Sequence, residues 1–163
     1  MYTSIKGELA LESRIRPAKE NDWLAILAVL DQVQPDTKEA NREWWRERQR
    51  FDARAHRRRH YVVEVTRPSG AVSLTAYAGI EEIEPTQFRL SLVIDPNQLS
   101  SLGEKLYAGL MTDLAELGAT LVTASEPLYS PVCDFLRNKG FRDELRVPLA
   151  GGGEAVVMAR QLR

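Results

Sequence analysis

The segment from Phe88 to Phe141 constrains the fold more than any other part of the chain, because its pattern changes period several times. It predicts, in order, a strand at 88–94, a polar turn at 97–101, a helix from Leu102, a strand at 119–124, a helix from Ser130 and a strand after Phe141. Strands that alternate with helices in this way are typical of a layered fold in which helices cover a sheet.

The junction between the first strand and the first helix of this segment predicts an anion site. The first N–H groups of a helix have no intrahelical partner and lie at the positive end of the helix dipole, so both effects stabilise a phosphate there. Here the backbone N–H groups of Leu99 to Gly103 would face the anion, and Lys105 would reach it from the first helical turn. The alternative is an ordinary strand-to-helix connection.

The remaining elements complete a layered arrangement. The patterns predict a strand at 14–17, a helix from Trp23, a charged helix around Trp44, strands at 61–65 and 71–83, and a hairpin of 142–149 with 154–161. We therefore predict an α/β (α+β layered) fold, with a mixed, mostly antiparallel sheet and helices on both faces. Residues 14–163 would form a single domain, preceded by an N-terminal extension at 1–13.

Composition narrows the functional classes. At 163 residues and 44% hydrophobic content the chain can bury one core, and its net charge of −1 provides no general attraction to nucleic acid or anionic membrane. No segment approaches the roughly 20 apolar residues of a membrane span, and the start resembles no signal peptide. The single Cys133 fits a reducing compartment and a buried structural thiol. These features predict a cytoplasmic protein without a membrane partner.

An arginine-rich run extends from Arg42 to Arg59. It is interpreted as a solvated helix face with intrahelical ion pairs, and the alternatives are sites for an acidic acceptor, a coenzyme phosphate or nucleic acid. Interspersed acidic residues argue against a nucleic-acid stripe. His56 and His60 have the spacing of a metal pair, but no third ligand is evident, so no metal site is predicted.

From Arg14 to about Leu162, the order of elements resembles the GCN5-related N-acetyltransferase (GNAT) family. The family's pyrophosphate signature is Gln or Arg, two residues, Gly, one residue, then Gly or Ala. It aligns with the segment from Gln98 to Gly103, in which Ser101 stands at the first glycine position. The Gly140-Phe141 pair is a second landmark of the family.

The resemblance implies acetyl-CoA as the acyl donor and no metal cofactor. It also implies that the strand around Leu92 and Val93 splays away from the strand at 119–124, leaving a gap in which pantetheine lies as a pseudo-strand. The residues implied to bind the coenzyme are Leu92, Val93, Gln98, Leu99, Ser100, Ser101, Leu102, Gly103 and Lys105.

Catalytic residues are less evident. Family members often carry a tyrosine acid four residues before the Gly-Phe pair, where this chain has Leu136, and Tyr129 takes the place of a frequent asparagine. A carboxylate is needed to deprotonate the attacking amine, and Glu81, Glu82 and Glu126 are the acids near this region, although each is also interpretable as a solvated strand-end residue. The candidate catalytic residues are Glu82, Glu126 and Tyr129.

The resemblance implies an N-acetyltransferase that moves an acetyl group from acetyl-CoA to a primary amine by direct attack. The alternative is a catalytically weak GNAT-fold module that binds acyl-CoA as a sensor, which the missing tyrosine and glycine favour. The acceptor is not identified by the sequence. A monomer and a homodimer that shares C-terminal strands are both compatible with the hairpin around Gly151 to Gly153.

Overall fold

The structure is a computed structural model that describes residues 12–52 and 57–162. Residues 1–11 of the predicted extension, and His56 of the predicted histidine pair, lie outside these ranges. The strands are β1 (Glu12–Pro17), β2 (Arg58–Thr66), β3 (Val72–Glu84), β4 (Gln87–Val93), β5 (Leu121–Pro127), β6 (Arg142–Pro148) and β7 (Glu154–Gln161). The α-helices are α1 (Trp23–Val33), α2 (Lys38–Asp52), α3 (Glu104–Glu116) and α4 (Pro131–Asn138).

Within the described residues, seven strands form one mixed sheet in the order β1-β2-β3-β4-β5-β7-β6. Strands β1 to β4 are an antiparallel meander, and β5, β7 and β6 are antiparallel to one another. The single parallel pairing among these strands joins β4 to β5, which α3 connects. This topology confirms the predicted fold class.

The two faces of the sheet are covered by different helices, because successive strand residues point to opposite sides. On one face, the buried stripe of α3 (Leu106, Leu110 and Leu114) packs in the larger core cluster together with residues of α4. On the other face, Trp23 of α1 packs against Tyr77 of β3, and Trp44 of α2 lies beside them. The prediction of helices on both faces is therefore confirmed.

The connection between β4 and α3 differs from the predicted polar turn. A 3-10 turn (Pro96–Gln98) and a turn of π-helix (Leu99–Gly103) precede α3, so the chain is helical almost from the end of β4. The Asp95 carboxylate accepts the Asn97 N–H at 2.8 Å, and proline at the first position suits a helical start. Leu99 is buried, which anchors this segment to the core.

Strands β4 and β5 pair only over their first halves. The register joins Gln87 to Leu121, Phe88 to Val122 and Arg89 to Thr123, and then the pairing stops. Both strands continue to Val93 and Pro127, and β5 stays paired with β7 along its whole length. The predicted splay at Leu92 and Val93 is therefore confirmed. We call the space between the second halves of the two strands the β4–β5 gap.

Candidate active site

A cavity of about 270 Å³ opens at the β4–β5 gap. Its walls come from α2, from the second halves of β4 and β5, and from the loop between β6 and β7. That loop carries three consecutive glycines with φ angles of 84°, 113° and 84°, a left-handed backbone that side chains rarely adopt. A Cβ on Gly151 would lie 3.1 Å from Cβ of Glu39, so the loop packs closely against α2. We call this space the Glu126 cavity.

Glu126 lines the cavity and is the central residue of the site. It follows Val122 and Ala124 at every second position of β5, all of them buried, and its own side chain is only 6% exposed. Its Oε1 has no hydrogen-bond partner among the described residues. Burial raises the pKa of the carboxyl from 4.5 to about 8, while Arg48 and the Ser130 hydroxyl act in the opposite direction. The pairing of β5 with β4 ends at Thr123, before Glu126. A polar side chain therefore occupies a position where a continuous sheet would bury an apolar one.

Arg48 brings a buried guanidinium from α2 to the same cavity. Its Nη2 donates to Ser91 Oγ of β4 at 3.0 Å, and its Nη1 donates to Glu47 at 3.0 Å. The guanidinium also stacks on Trp44, with Cζ 4.5 Å from the ring centre. Desolvation lowers the pKa of Arg48 to about 10, with a further contribution from the charge on Arg89. Arg48 nevertheless remains a cation at neutral pH.

Two more charged residues on the sheet complete the network. Glu81 of β3 is buried, and its Oε1 accepts from Arg89 Nη2 at 2.8 Å and lies 3.4 Å from Arg48 Nε. Arg89 also pairs with Glu47 at 3.1 Å. Glu81 is therefore held between two guanidinium groups.

Solved structures with the same architecture exist. A protein assigned to the GNAT family of acetyltransferases, from Desulfovibrio desulfuricans, superposes with a TM-score of 0.66 at 17% identity, over 93% of this chain and 100% of that one. The chain has the GNAT acetyltransferase fold. An acetyltransferase from Streptococcus agalactiae superposes with a TM-score of 0.71 at 13% identity, over 92% and 98% of the two chains.

A third GNAT-fold neighbour carries a ligand. It is yncA of Salmonella typhimurium, assigned as an acetyltransferase and solved with its cofactor acetyl-CoA, with a TM-score of 0.60 at 18% identity over 93% and 94% of the two chains. Searches of the sequence against protein-family models and against curated proteins find no match. The likeness to known proteins is thus one of fold.

The GNAT fold separates the three predicted catalytic residues. Glu126 lies in the cavity, whereas Glu82 lies near the turn between β3 and β4, at the other end of β4 from the gap. Glu82 is bound there by Arg57 and accepts the Thr86 N–H. Tyr129 follows β5 with a left-handed φ of 72° and is 91% exposed. It lines a second pocket of about 240 Å³ with Ile94 and the start of α4.

The predicted coenzyme residues fall into two groups. Leu92 and Val93 are buried on the β4 side of the gap and line the Glu126 cavity. The other predicted residues lie in the helical connection and the first turn of α3, and they differ in exposure. Exposed residues are Gln98, Ser100, Ser101 and Lys105, buried residues are Leu99 and Gly103, and Leu102 is intermediate. The Leu99 N–H, predicted to face the anion, donates instead to Pro96 O. A Cβ on Gly103 would lie 3.2 Å from a methyl group of Leu99, so this glycine serves close packing.

Leu136 and Cys133 of α4 are core residues. Leu136, at the position of the family's tyrosine, is fully buried. The prediction of a buried thiol is confirmed, since Cys133 is 1% exposed and burial raises its pKa to about 11. In the part of the chain that the structure describes, there is no cluster of three or more potential metal ligands and no helix long and apolar enough to cross a membrane.

The arginine-rich run differs from its prediction. The described ion pairs of this run mostly link separate elements: Arg42 with Asp31, Arg57 with Glu82, and Arg59 with Asp113 and Glu116. The physical reason is that the run crosses from α2 into β2, so its last arginines lie on a strand beside other elements. A site for the acceptor or the coenzyme was an alternative interpretation of this run, but the sequence did not single out Arg48, which is buried and lines the Glu126 cavity. The alternation of Arg89 and Ser91 with apolar residues of β4 was a usable signal for the polar wall.

Proposed function

We propose that this protein is an N-acetyltransferase that moves an acetyl group from acetyl-CoA to a primary amine within a ternary complex, with Glu126 as the general base. The observation that carries the proposal is the buried Glu126 carboxyl, with an unpartnered Oε1, at a gap between two splayed parallel strands. A base with a pKa near the working pH is the most efficient one, and burial raises the pKa of Glu126 to about 8.

The proposed reaction conserves atoms and charge as follows. The amine nitrogen attacks the carbonyl carbon of the thioester, a C–N bond forms, and the C–S bond breaks with its electron pair on sulfur. Glu126 takes the proton that the nitrogen loses, directly or through one water, because a protonated amine has no lone pair for attack. The thiolate is a good leaving group and takes a proton from water, so the reaction proceeds without a dedicated acid at Leu136.

The residues around the gap fit the proposed acyl donor. Beyond Arg89, the described residues of β5 make no ladder with β4, so amides of an extended pantetheine arm would find main-chain partners there. At the phosphate end, exposed Ser100 and Ser101 offer hydroxyl groups and exposed Lys105 offers a cation. Asp95 acts against anion binding, because its carboxylate already accepts an N–H at the start of the helical connection.

A sensor that binds acyl-CoA with little turnover is the second candidate. It is favoured by the buried Leu136, which leaves the usual acid position without a proton donor, and by the raised pKa of Glu126, which keeps most of this carboxyl protonated at pH 7. Such a protein would bind acetyl-CoA tightly and release almost no thiol.

Thiol release from acetyl-CoA, measured with a panel of primary amines, separates the two candidates when acetyl-CoA binding is measured by calorimetry on the same samples. The enzyme proposal expects amine-dependent release that Glu126→Gln removes while acetyl-CoA affinity stays within about twofold. Glu144→Gln is the control, because Glu144 is exposed on β6 and outside the cavity. Tight binding with no release for any amine would favour the sensor.

A further inference from the structure

The charges around the Glu126 cavity do not balance. Among its described lining residues, the guanidinium groups are those of Arg48 and Arg89, and the carboxylates are those of Glu43, Glu47 and Glu126. Glu81 lies behind the wall and adds a fourth carboxylate. Four carboxylates against two guanidinium groups leave a formal charge of −2 when all are ionised, and of −1 while Glu126 is protonated.

The two guanidinium groups are already neutralised inside the protein. Glu47 lies 3.0 Å from Arg48 and 3.1 Å from Arg89, and Glu81 lies 3.4 Å and 2.8 Å from the same two groups. A carboxylate on the acceptor would have to displace Glu47, and it would gain little because the arginines lose an existing partner. The cavity therefore disfavours an acceptor with a carboxylate.

Neither Glu43 nor Glu126 makes an ion pair with a described lining residue, although the charge on Arg48 acts on Glu126. Glu43 lies one helical turn before Glu47, beside Trp44, and makes no ion pair that the described residues reveal. Glu126 is nearly fully buried, and its Oε1 is unpartnered. The two carboxylates come from α2 and β5 and line the same cavity. A cavity of about 270 Å³ suits a small molecule.

We infer that the acceptor is a small aliphatic dication, a primary amine with a second ammonium group and no carboxylate. This inference rests on the proposed function and names its substrate class. The reacting nitrogen lies at Glu126, and the distal ammonium lies at Glu43, with Glu47 near enough to add to the negative potential. The apolar surfaces of Leu30, Ala40 and Trp44 line the cavity and cover the methylene groups between the two nitrogens.

Acetylation kinetics with acceptors of one chain length test this inference. Three five-carbon amines differ at the end away from the reacting nitrogen: 1,5-diaminopentane has an ammonium, pentylamine a methyl group and 5-aminopentanoate a carboxylate. Lysine, with six carbons, has the chain of diaminopentane with an added α-carboxylate. We expect kcat/KM for diaminopentane to exceed that for pentylamine by about fivefold, and to exceed that for both carboxylates by more. The preference should weaken in about 0.5 M salt, because screening reduces it.

A matched pair of variants tests whether Glu43 causes the preference for a second ammonium group. Glu43→Gln should bring the ratio of kcat/KM for diaminopentane and pentylamine down toward one, and Glu144→Gln, which removes an exposed charge outside the cavity, should leave that ratio unchanged. Equal use of pentylamine and diaminopentane, or a preference for either carboxylate, would overturn the dication inference while leaving the acetyltransferase proposal intact. Absence of thiol release with every amine would overturn both.

Discussion

Two carboxylates of opposite character flank β4: Glu82 of β3 lies beside the half of β4 that pairs with β5, and Glu126 of β5 lies beside the half that does not. In the paired half, Glu82 is bound by Arg57 and accepts a backbone N–H, so its oxygens are satisfied. In the unpaired half, Glu126 is buried with one oxygen unpartnered, and its pKa rises to about 8. Both residues stand near strand ends in the sequence. The two glutamates thus differ in their surroundings and not in residue type: Glu82 has a cation and an N–H as partners, whereas Glu126 has an oxygen without a partner among the described residues.

The largest expected effect comes from exchanging the two carboxylates for amides. Glu126→Gln should lower kcat/KM by about 10²- to 10⁴-fold, the usual contribution of a general base, whereas Glu82→Gln should change it by about twofold or less. Steady-state kinetics with a fixed amine measure both. A comparable loss in Glu82→Gln would break the comparison, because the paired half would then contribute to catalysis.

Arg48 tests the unpaired half of the comparison, through its effect on Glu126. Its positive charge lowers the pKa of Glu126, so Arg48→Gln should raise that pKa further and cost about tenfold in kcat/KM at neutral pH, with recovery at higher pH. Arg48→Lys keeps the charge and should shift the pH profile less. Thermal unfolding of both variants separates a changed pKa from a lost fold. A uniform loss at every pH in both variants would assign Arg48 a purely structural role.

Lys105 tests the coenzyme end of the same gap. Because its ammonium is exposed in the first turn of α3, Lys105→Ala should raise KM for acetyl-CoA by about threefold with kcat nearly constant, and less at high salt. Lys19→Ala is the control, because Lys19 is exposed beside β1 and its substitution removes the same charge. Equal effects of the two substitutions would indicate a general charge effect instead of a phosphate contact.

A smaller effect concerns stability. The folded-state pKa of Glu126 lies above its ordinary value of 4.5, so the folded chain holds this proton more tightly and loses stability as the pH rises from 4.5 to about 8. Glu126→Gln removes this penalty and should raise Tm by about 2–6 °C at pH 8, with a smaller gain below pH 4.5. Thermal scans at pH 4.5 and 8 measure this difference. A Tm below that of the parent at pH 8 would show that the carboxylate stabilises the fold.

The sequence predicted those parts of the molecule that depend on local pattern. Helix α3 follows from its leucine stripe and the final hairpin from the glycines between two alternating runs. Residues 97–101 were predicted as a turn before a helix from Leu102, and they are helical because Asp95 caps the segment and Leu99 is buried in the core. Local pattern contains no information on that tertiary burial.

The polar wall of the site could not be predicted in the same way. The hydrogen bond from Arg48 to Ser91 joins residues 43 positions apart, on a helix and a strand whose relative placement no local period specifies. Glu126 was a candidate by its place on β5, but its burial depends on where the β4–β5 pairing stops. The Arg48–Ser91 hydrogen bond and the burial of Glu126 depend on how α2 packs on the sheet and where strand pairing stops. A local sequence pattern specifies neither.

The most direct test of the account is the pH dependence of kcat/KM in the parent protein and in Glu126→Gln. Because an aliphatic amine titrates near pH 10 in solution, a limb from an enzyme group near pH 8 is distinguishable from it. The account predicts that kcat/KM of the parent rises through an apparent pKa near 8 and that this limb is missing in the variant. An identical profile in both proteins, following only the amine, would contradict the assignment of Glu126 as the base.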